Sequence, residues 1–233
     1  LEKYPFSVIY EDNHLLVVNK ASGVLTQGDE TGDLSLPDYV KLYLKEKYAK
    51  PGNVFCGVVH RLDRPVSGLV VLAKTSKALE RMNELFKNRQ IDKTYWAISS
   101  RAPTPRTGKL IHWLIKDGQR NVTKAYPTQV PNSQYAELSY TLVASVKNYY
   151  LLEVKPLTGR PHQIRVQLAS LGSPICGDEK YGGSPALVRG AIHLHARSLA
   201  FVHPIKQEQL VLRADLPPDK LWDTFARVKI LAT

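Results

Sequence analysis

The chain has 233 residues, 43% of them hydrophobic, which suffices to bury a sizeable core in one large domain or two closely packed halves and argues against disorder. Lys and Arg number 32 against 21 Asp and Glu, a net charge of +11 that points to a polyanionic partner, nucleic acid before membrane. Two cysteines without metal-ligand spacing exclude a disulfide scaffold and point to a reducing cytoplasm, and no apolar run or leader pattern suggests a membrane or secreted protein.

Taken in order, residues 6–10 and 14–19 read as an opening hairpin around the turn 11–13. A loop over 20–33 follows, with Asp29 and Glu30 facing water. Ser35 is placed to cap a helix with Pro37 in its first turn, its apolar side formed by Tyr39, Leu42, Tyr43 and Tyr48. After Pro51-Gly52 comes a strand ending at Val58-Val59, a constrained polar loop from His60 to Gly68, and an apolar strand over 69–73. Thr75 or Ser76 then caps a second helix, whose Leu79, Met82, Leu85 and Phe86 recur at helical spacing and read as core. Residues 93–99 alternate as a strand with Tyr95 on the face opposite Trp96. Runs at 110–115, 136–146 and 149–154, separated by turn signals, suggest an antiparallel sheet. From Lys93 to Lys124 there are seven Lys or Arg against one acid, Asp117, so this segment forms part of a basic surface. Pro161 suits the first turn of a helix with Ile164, Leu168 and Leu171 as a core stripe, His162 and Arg165 on another face, and Gly172 at its end. Strands at 192–195 and 199–202 and a closing helix over 216–229, with Leu221, Trp222, Phe225 and Val228 inward, complete the chain.

The reactive candidate in this layout is Asp63, set between Arg61 and Arg64 on a rigid loop between two buried strands. Neighbouring cations favour its ionised form, which makes it a poor general acid but a competent nucleophile or electrostatic partner. Ordinary glycoside hydrolysis needs a second carboxylate, and neither this loop nor the 157–169 stretch carries one. His193 and His195 share a strand face but complete no set with metal-ligand spacing. Ser67-Gly68 is not a nucleophile elbow, and the Gly-rich stretches complete no phosphate-binding loop.

The loop His60-Arg61-Leu62-Asp63-Arg64-Pro65-Val66-Ser67-Gly68, with Ala73-Lys74, resembles the catalytic motif of the RluA family of pseudouridine synthases. Lys93-Thr94-Tyr95-Trp96-Ala97 is similar to that family's tyrosine motif, and Thr158-Gly159-Arg160-Pro161-His162-Gln163-Ile164-Arg165 to its arginine motif. Segments 171–182, 193–196 and 201–204 resemble further family elements in family order. Val66 replaces the usual Thr, and Ser173 the usual His. The small RNA-binding module that precedes many members is not in these 233 residues, so the chain reads as a single catalytic domain over 1–233.

The resemblance implies an α+β fold, a mixed, mainly antiparallel sheet with peripheral helices and a central active-site cleft. It implies an isomerase that detaches uracil from its sugar in tRNA or ribosomal RNA, rotates it and rejoins it through carbon 5, with no metal and no organic cofactor. Asp63 is then the catalytic carboxylate, acting on the sugar, on the base, or as a proton acceptor. Arg165 is the salt-bridge partner that holds it, and Tyr95 stacks on uracil and assists proton removal. Flipping the base out of folded RNA is assisted by Arg61 filling the vacated space. Arg64, Lys74 and Arg160 contact phosphate or brace loops; His60 and His162 contact RNA or shape their loops; Ile164 lines the base pocket. A cytoplasmic monomer acting on RNA, without a membrane, is the expectation. A non-catalytic RNA-binding or chaperone protein on the same scaffold is the alternative.

Overall fold

The computed structural model describes residues 3–226, and these form two compact units, 3–92 with 196–215 and 93–195 with 216–226. The architecture is α+β, with mixed, mostly antiparallel sheet structure and few helices. Among the described residues no helix is long and apolar enough to cross a membrane.

In the first unit the strands β1 (Phe6–Glu11), β2 (Leu15–Lys20), β3 (Gly57–Val58), β4 (Ser67–Ala73), β10 (Leu194–Val202, its first two residues in the second unit) and β11 (Gln209–Arg213) run in the order β1-β2-β4-β10-β11, with β3 also on β4. β1 and β2 form the expected hairpin, because Asp12 ties its turn by accepting from the backbone N–H groups of His14 at 2.7 Å and Leu15 at 2.8 Å. β4 is buried along its whole length and pairs antiparallel with β2 from Leu15↔Ala73 to Lys20↔Gly68. Helix α2 (Ser76–Lys87) starts on Thr75, whose hydroxyl accepts from Ala78 N–H, and it packs Ala78 and Met82 against Leu69, Val71 and Phe201.

Helix α1 (Leu36–Lys47) begins at Ser35, with the Asp38 carboxylate accepting from Ser35 N–H at 3.0 Å. Its buried side is Leu36, Pro37, Val40 and Leu44, not the predicted Tyr39, Leu42, Tyr43 and Tyr48 stripe; Leu42 and Tyr48 are about half exposed. The tyrosines have polar ends to satisfy: Tyr43 and Tyr48 both donate to Glu11.

In the second unit, β5 (Asp92–Ser99), β9 (Tyr149–Pro156), β8 (Gln134–Val146), β6 (Thr107–Asp117) and β7 (Val122–Tyr126) lie in that order, all pairs antiparallel. The predicted turns fall where expected, with Asn121, Asn132 and Lys147 in the left-handed region. One face carries Trp96, Ile98, Val143 and Leu151 against Trp222 and Phe225 of α4 (Lys220–Ala226). Helix α3 (Gln163–Ser170) contacts β6 and β7 and the 3-10 turn Glu179–Tyr181.

Two strands go beyond the expected ones: β7, whose sequence VTKAY carries no apolar run, and β11, whose run Leu210-Val211-Leu212 is only three residues long. The separate strands expected at 192–195 and 199–202 are one strand, β10, continuous through Arg197-Ser198. The closing helix is described as far as Ala226; Val228 and the expected helix end at Lys229 lie outside the described residues.

Gly68 tests the central packing. Its φ is +114°, and a Cβ there would sit 2.4 Å from the Ala196 carbonyl oxygen and 2.5 Å from its nitrogen. Gly68→Ala is expected to destabilise the protein by about 2–4 kcal/mol, read from the urea midpoint, because both the backbone strain and the overlap must be relieved.

Candidate active site

The Asp63 loop is a clamp of alternating residues. Thr26, 3% exposed, bonds Leu62 twice, its hydroxyl donating to the Leu62 carbonyl at 2.8 Å and accepting from Leu62 N–H at 3.2 Å. Leu62 and Val66 are buried on either side of Asp63, and Val66 N–H donates to the Asp63 carbonyl at 3.0 Å. Arg61, exposed, and Asp63, half-buried, flank the inward Leu62. Arg61 donates to Gln27 at 3.1 Å, while Arg64 donates to the Gly23 carbonyl at 3.0 Å and to Asp33 at 2.6 Å.

Beneath the loop lies a cation at the end of β2, where the sequence suggests the start of a loop. Lys20 is fully buried, and its ammonium donates to the carbonyls of Ala21 and Val24, both at 2.9 Å, and of Arg64 at 3.4 Å. Burial drives its pKa down to about 7, against the upward pull of Asp63 and with a further lowering by Arg64. The legible signal was its alternation with Val18 on β2, which places both on one face.

His60 is a structural partner of the loop. Its Nε2 accepts from Val71 N–H at 3.0 Å, and its ring stacks on Phe86 with centroids 4.7 Å apart. Lys74 is only 10% exposed and donates to Glu11 at 2.8 Å and the Asp12 carbonyl at 2.7 Å. Of the two roles expected for Lys74 and His60, these bonds support bracing.

In the second unit, Arg160, His162, Ile164 and Arg165 gather at the head of α3. The helix departs from the amphipathic reading: Gln163 to Leu168 are all buried, Arg165 at 5% exposure and Ile164 at 8%. Pro161 precedes the helix, and the N-cap is His162 in a left-handed conformation with φ 55°. The Gln163 side chain makes this turn, accepting from Thr158 Oγ1 at 2.8 Å and Arg160 N–H at 3.0 Å. Such a conformation costs about 1 kcal/mol or more and persists only where neighbours over-determine it. Arg160 braces β8 by donating to the Tyr135 carbonyl at 3.1 Å.

Arg165 carries a partner that spacing did not reveal. Asp178, 1% exposed, accepts from its Nε at 2.7 Å and its Nη2 at 2.8 Å. No sequence signal marks this pair: what joins the two is burial, and a buried charge needs a partner. Tyr95 is half-buried on β5, opposite Val154 in register, and strand alternation turns it from the face on which Trp96 packs. Arg101, Arg106, Lys109, Lys116, Arg120 and Lys124 of the basic segment are exposed, and Lys109 pairs with Glu137 at 2.9 Å. Among the described residues no group of three or more His, Cys, Asp or Glu is arranged to hold a metal ion.

Val66, which stands where the family usually has Thr, is 2% exposed and packs inward. Its methyls are core, and a hydroxyl there would need a buried partner.

The comparisons with known proteins agree on the class. The family model described as RNA pseudouridylate synthase matches residues 14–170. A ribosomal large subunit pseudouridine synthase C of Rickettsia felis is 33% identical over 212 residues, covering 90% of this chain and 67% of that protein. An uncharacterised RNA pseudouridine synthase of Bacillus subtilis is 34% identical over 219 residues, covering 91% and 69%. The structure of human RNA pseudouridylate synthase domain containing 4 superposes with a TM-score of 0.75 at 28% identity, over 91% of this chain and 89% of that one. The chain belongs to the RluA family of RNA pseudouridine synthases and is an isomerase acting on RNA.

The Glu11 cluster beside Lys74 sets a pH dependence. Burial alone would raise its carboxyl, but Lys47, Lys74, Tyr48 and Tyr43 outweigh that and bring it from 4.5 to about 2. The folded value lies below the unfolded one, so the stabilisation is complete above about pH 4.5 and is lost as pH falls towards 2. Urea titrations across that window should show a loss on the order of 2 kcal/mol in the wild type that Glu11→Gln largely lacks.

Proposed function

We propose that Asp63, Tyr95 and Arg165 are the catalytic residues for conversion of uridine to pseudouridine in a structured RNA, and that the two units work as one catalytic domain. The observation that carries this is the Asp63 loop, a half-buried carboxylate held by Thr26, Lys20 and buried neighbours in a motif that matches the family's catalytic one. Arg165 is the proposed partner of the Asp63 carboxylate, which attacks sugar or base or accepts a proton. Tyr95 stacks on the uracil and takes part in proton removal from carbon 5 after rotation, and Ile164 lines the pocket.

Arg61, the exposed cation beside Asp63, is the group proposed to enter the stack when the base leaves it. Arg64 and the exposed cations between Arg101 and Lys124 track phosphates, so RNA affinity should fall steeply with salt. The relatives' names favour ribosomal RNA over tRNA. The mechanism needs no metal and no organic cofactor, and a cytoplasmic monomer suffices. Free Cys56 and Cys176 fit a reducing compartment.

Asp63→Asn is expected to abolish release of tritium from carbon 5 of labelled uridine in RNA while RNA binding stays within about threefold. Tritium release at the wild-type rate would sink the assignment. Arg61→Ala should leave the fold intact and lower single-turnover rates at least about tenfold, since the vacated stack loses its filler.

A further inference from the structure

The proposed chemistry gives no task to Asp178 or Tyr181, yet both are built around the guanidinium of Arg165. Asp178 grips one edge of it, Nε and Nη2, at 2.7 and 2.8 Å. Tyr181 lays its ring 5.1 Å from the guanidinium carbon. The Tyr181 hydroxyl is itself pinned, accepting from Thr123 N–H at 2.8 Å and hydrogen-bonded to His162 Nδ1 at 2.7 Å. Burial raises the phenol above its ordinary pKa, so the hydroxyl keeps its proton at neutral pH. Thr123 closes the ring of contacts by donating to the Pro161 carbonyl at 3.0 Å, one residue before the helix cap.

A buried ion pair adds little net stability over apolar residues of the same volume, so what this one contributes is geometry. Two charge-assisted bonds in a fork fix the plane of a guanidinium in a way that a single contact does not. Turning Arg165 would break both and slide it off the Tyr181 ring.

We propose that Asp178, seconded by Tyr181, is a positioning residue for the isomerisation: it occupies the Nε–Nη2 edge of Arg165 and fixes the plane in which that guanidinium acts. This rests on the reading of Arg165 as a catalytic residue. It gives the 177–182 segment a role in catalysis without substrate contact. His162 enters as the far anchor of Tyr181, held in its left-handed cap for that purpose.

Asp178→Asn keeps the shape and removes the charge. In folded protein, kcat on RNA should fall about a hundredfold with KM within about threefold. In an Arg165→Lys background the same change should cost nothing further, because a residue that acts through Arg165 has nothing left to position. Full kcat in Asp178→Asn, or an equal loss in both backgrounds, overturns the proposal. Should Asp178→Asn fail to fold, Tyr181→Phe decides: it keeps the ring, leaves no unpaired charge, and should lower kcat about tenfold at unchanged KM. Wild-type kcat in Tyr181→Phe would then overturn it. Arg165→Lys by itself separates the two claims, since wild-type kcat there removes the catalytic reading of Arg165, whereas an impaired Arg165→Lys beside a fully active Asp178→Asn removes only the positioning role.

Discussion

Strand β4 is buried from Ser67 to Ala73, so each of its backbone groups must find a partner inside the protein. β2 takes one edge over the full length. The other edge is shared: β3 pairs only with Leu72 and Ala73, the His60 ring accepts from Val71, and β10 lies alongside towards Gly68. The His60 ring thus satisfies the strand where β3 has already turned away. That turning away is the start of the Asp63 loop, and the same buried edge that demands a partner holds the loop's first residue in place.

The cost of burying charge organises the rest of the site. Lys20 has no carboxylate in hydrogen-bonding contact among the bonds it makes here; carbonyl oxygens surround it, and its proton affinity falls accordingly. Lys74 and Glu11 neutralise each other at one end of β4, with Lys47 and two tyrosines completing the acid's coordination. Arg165 meets Asp178. Lys74 and Arg160, which look like phosphate contacts from their charge alone, bond to groups of the protein itself. Arg61, by contrast, is exposed and bonds the neutral side chain of Gln27.

Local chemistry made much of the fold legible. The hairpin turn at Asp12, the Thr75 cap, the three β-turn signals and the alternation of Tyr95 with Trp96 depend on residues near one another in the chain, so spacing sufficed. Periodicity failed where packing came from elsewhere. Tyr43 and Tyr48 count as apolar on any scale, but Glu11 draws their hydroxyls to the helix rim and leaves burial to Val40 and Leu44. Helix α3 is too enclosed to show a polar face, and the Thr158–Gln163–Arg160 bonds set its start two residues beyond the proline.

By itself the sequence determined the class of chemistry: a carboxylate, Asp63, on a constrained, cation-flanked loop, the tyrosine and arginine motifs in order, and a basic composition suited to RNA. Those are properties of residue identity and short spacing, which the chain carries whether folded or not. Only the tertiary structure decided that Thr26 and Lys20 underlie the Asp63 loop, that Val66 is core, and that Asp178 and Tyr181 fix Arg165. These partners lie 13 to 44 residues apart, and what joins them is the requirement that buried polar groups be paired, a constraint that exists once the chain has closed around them.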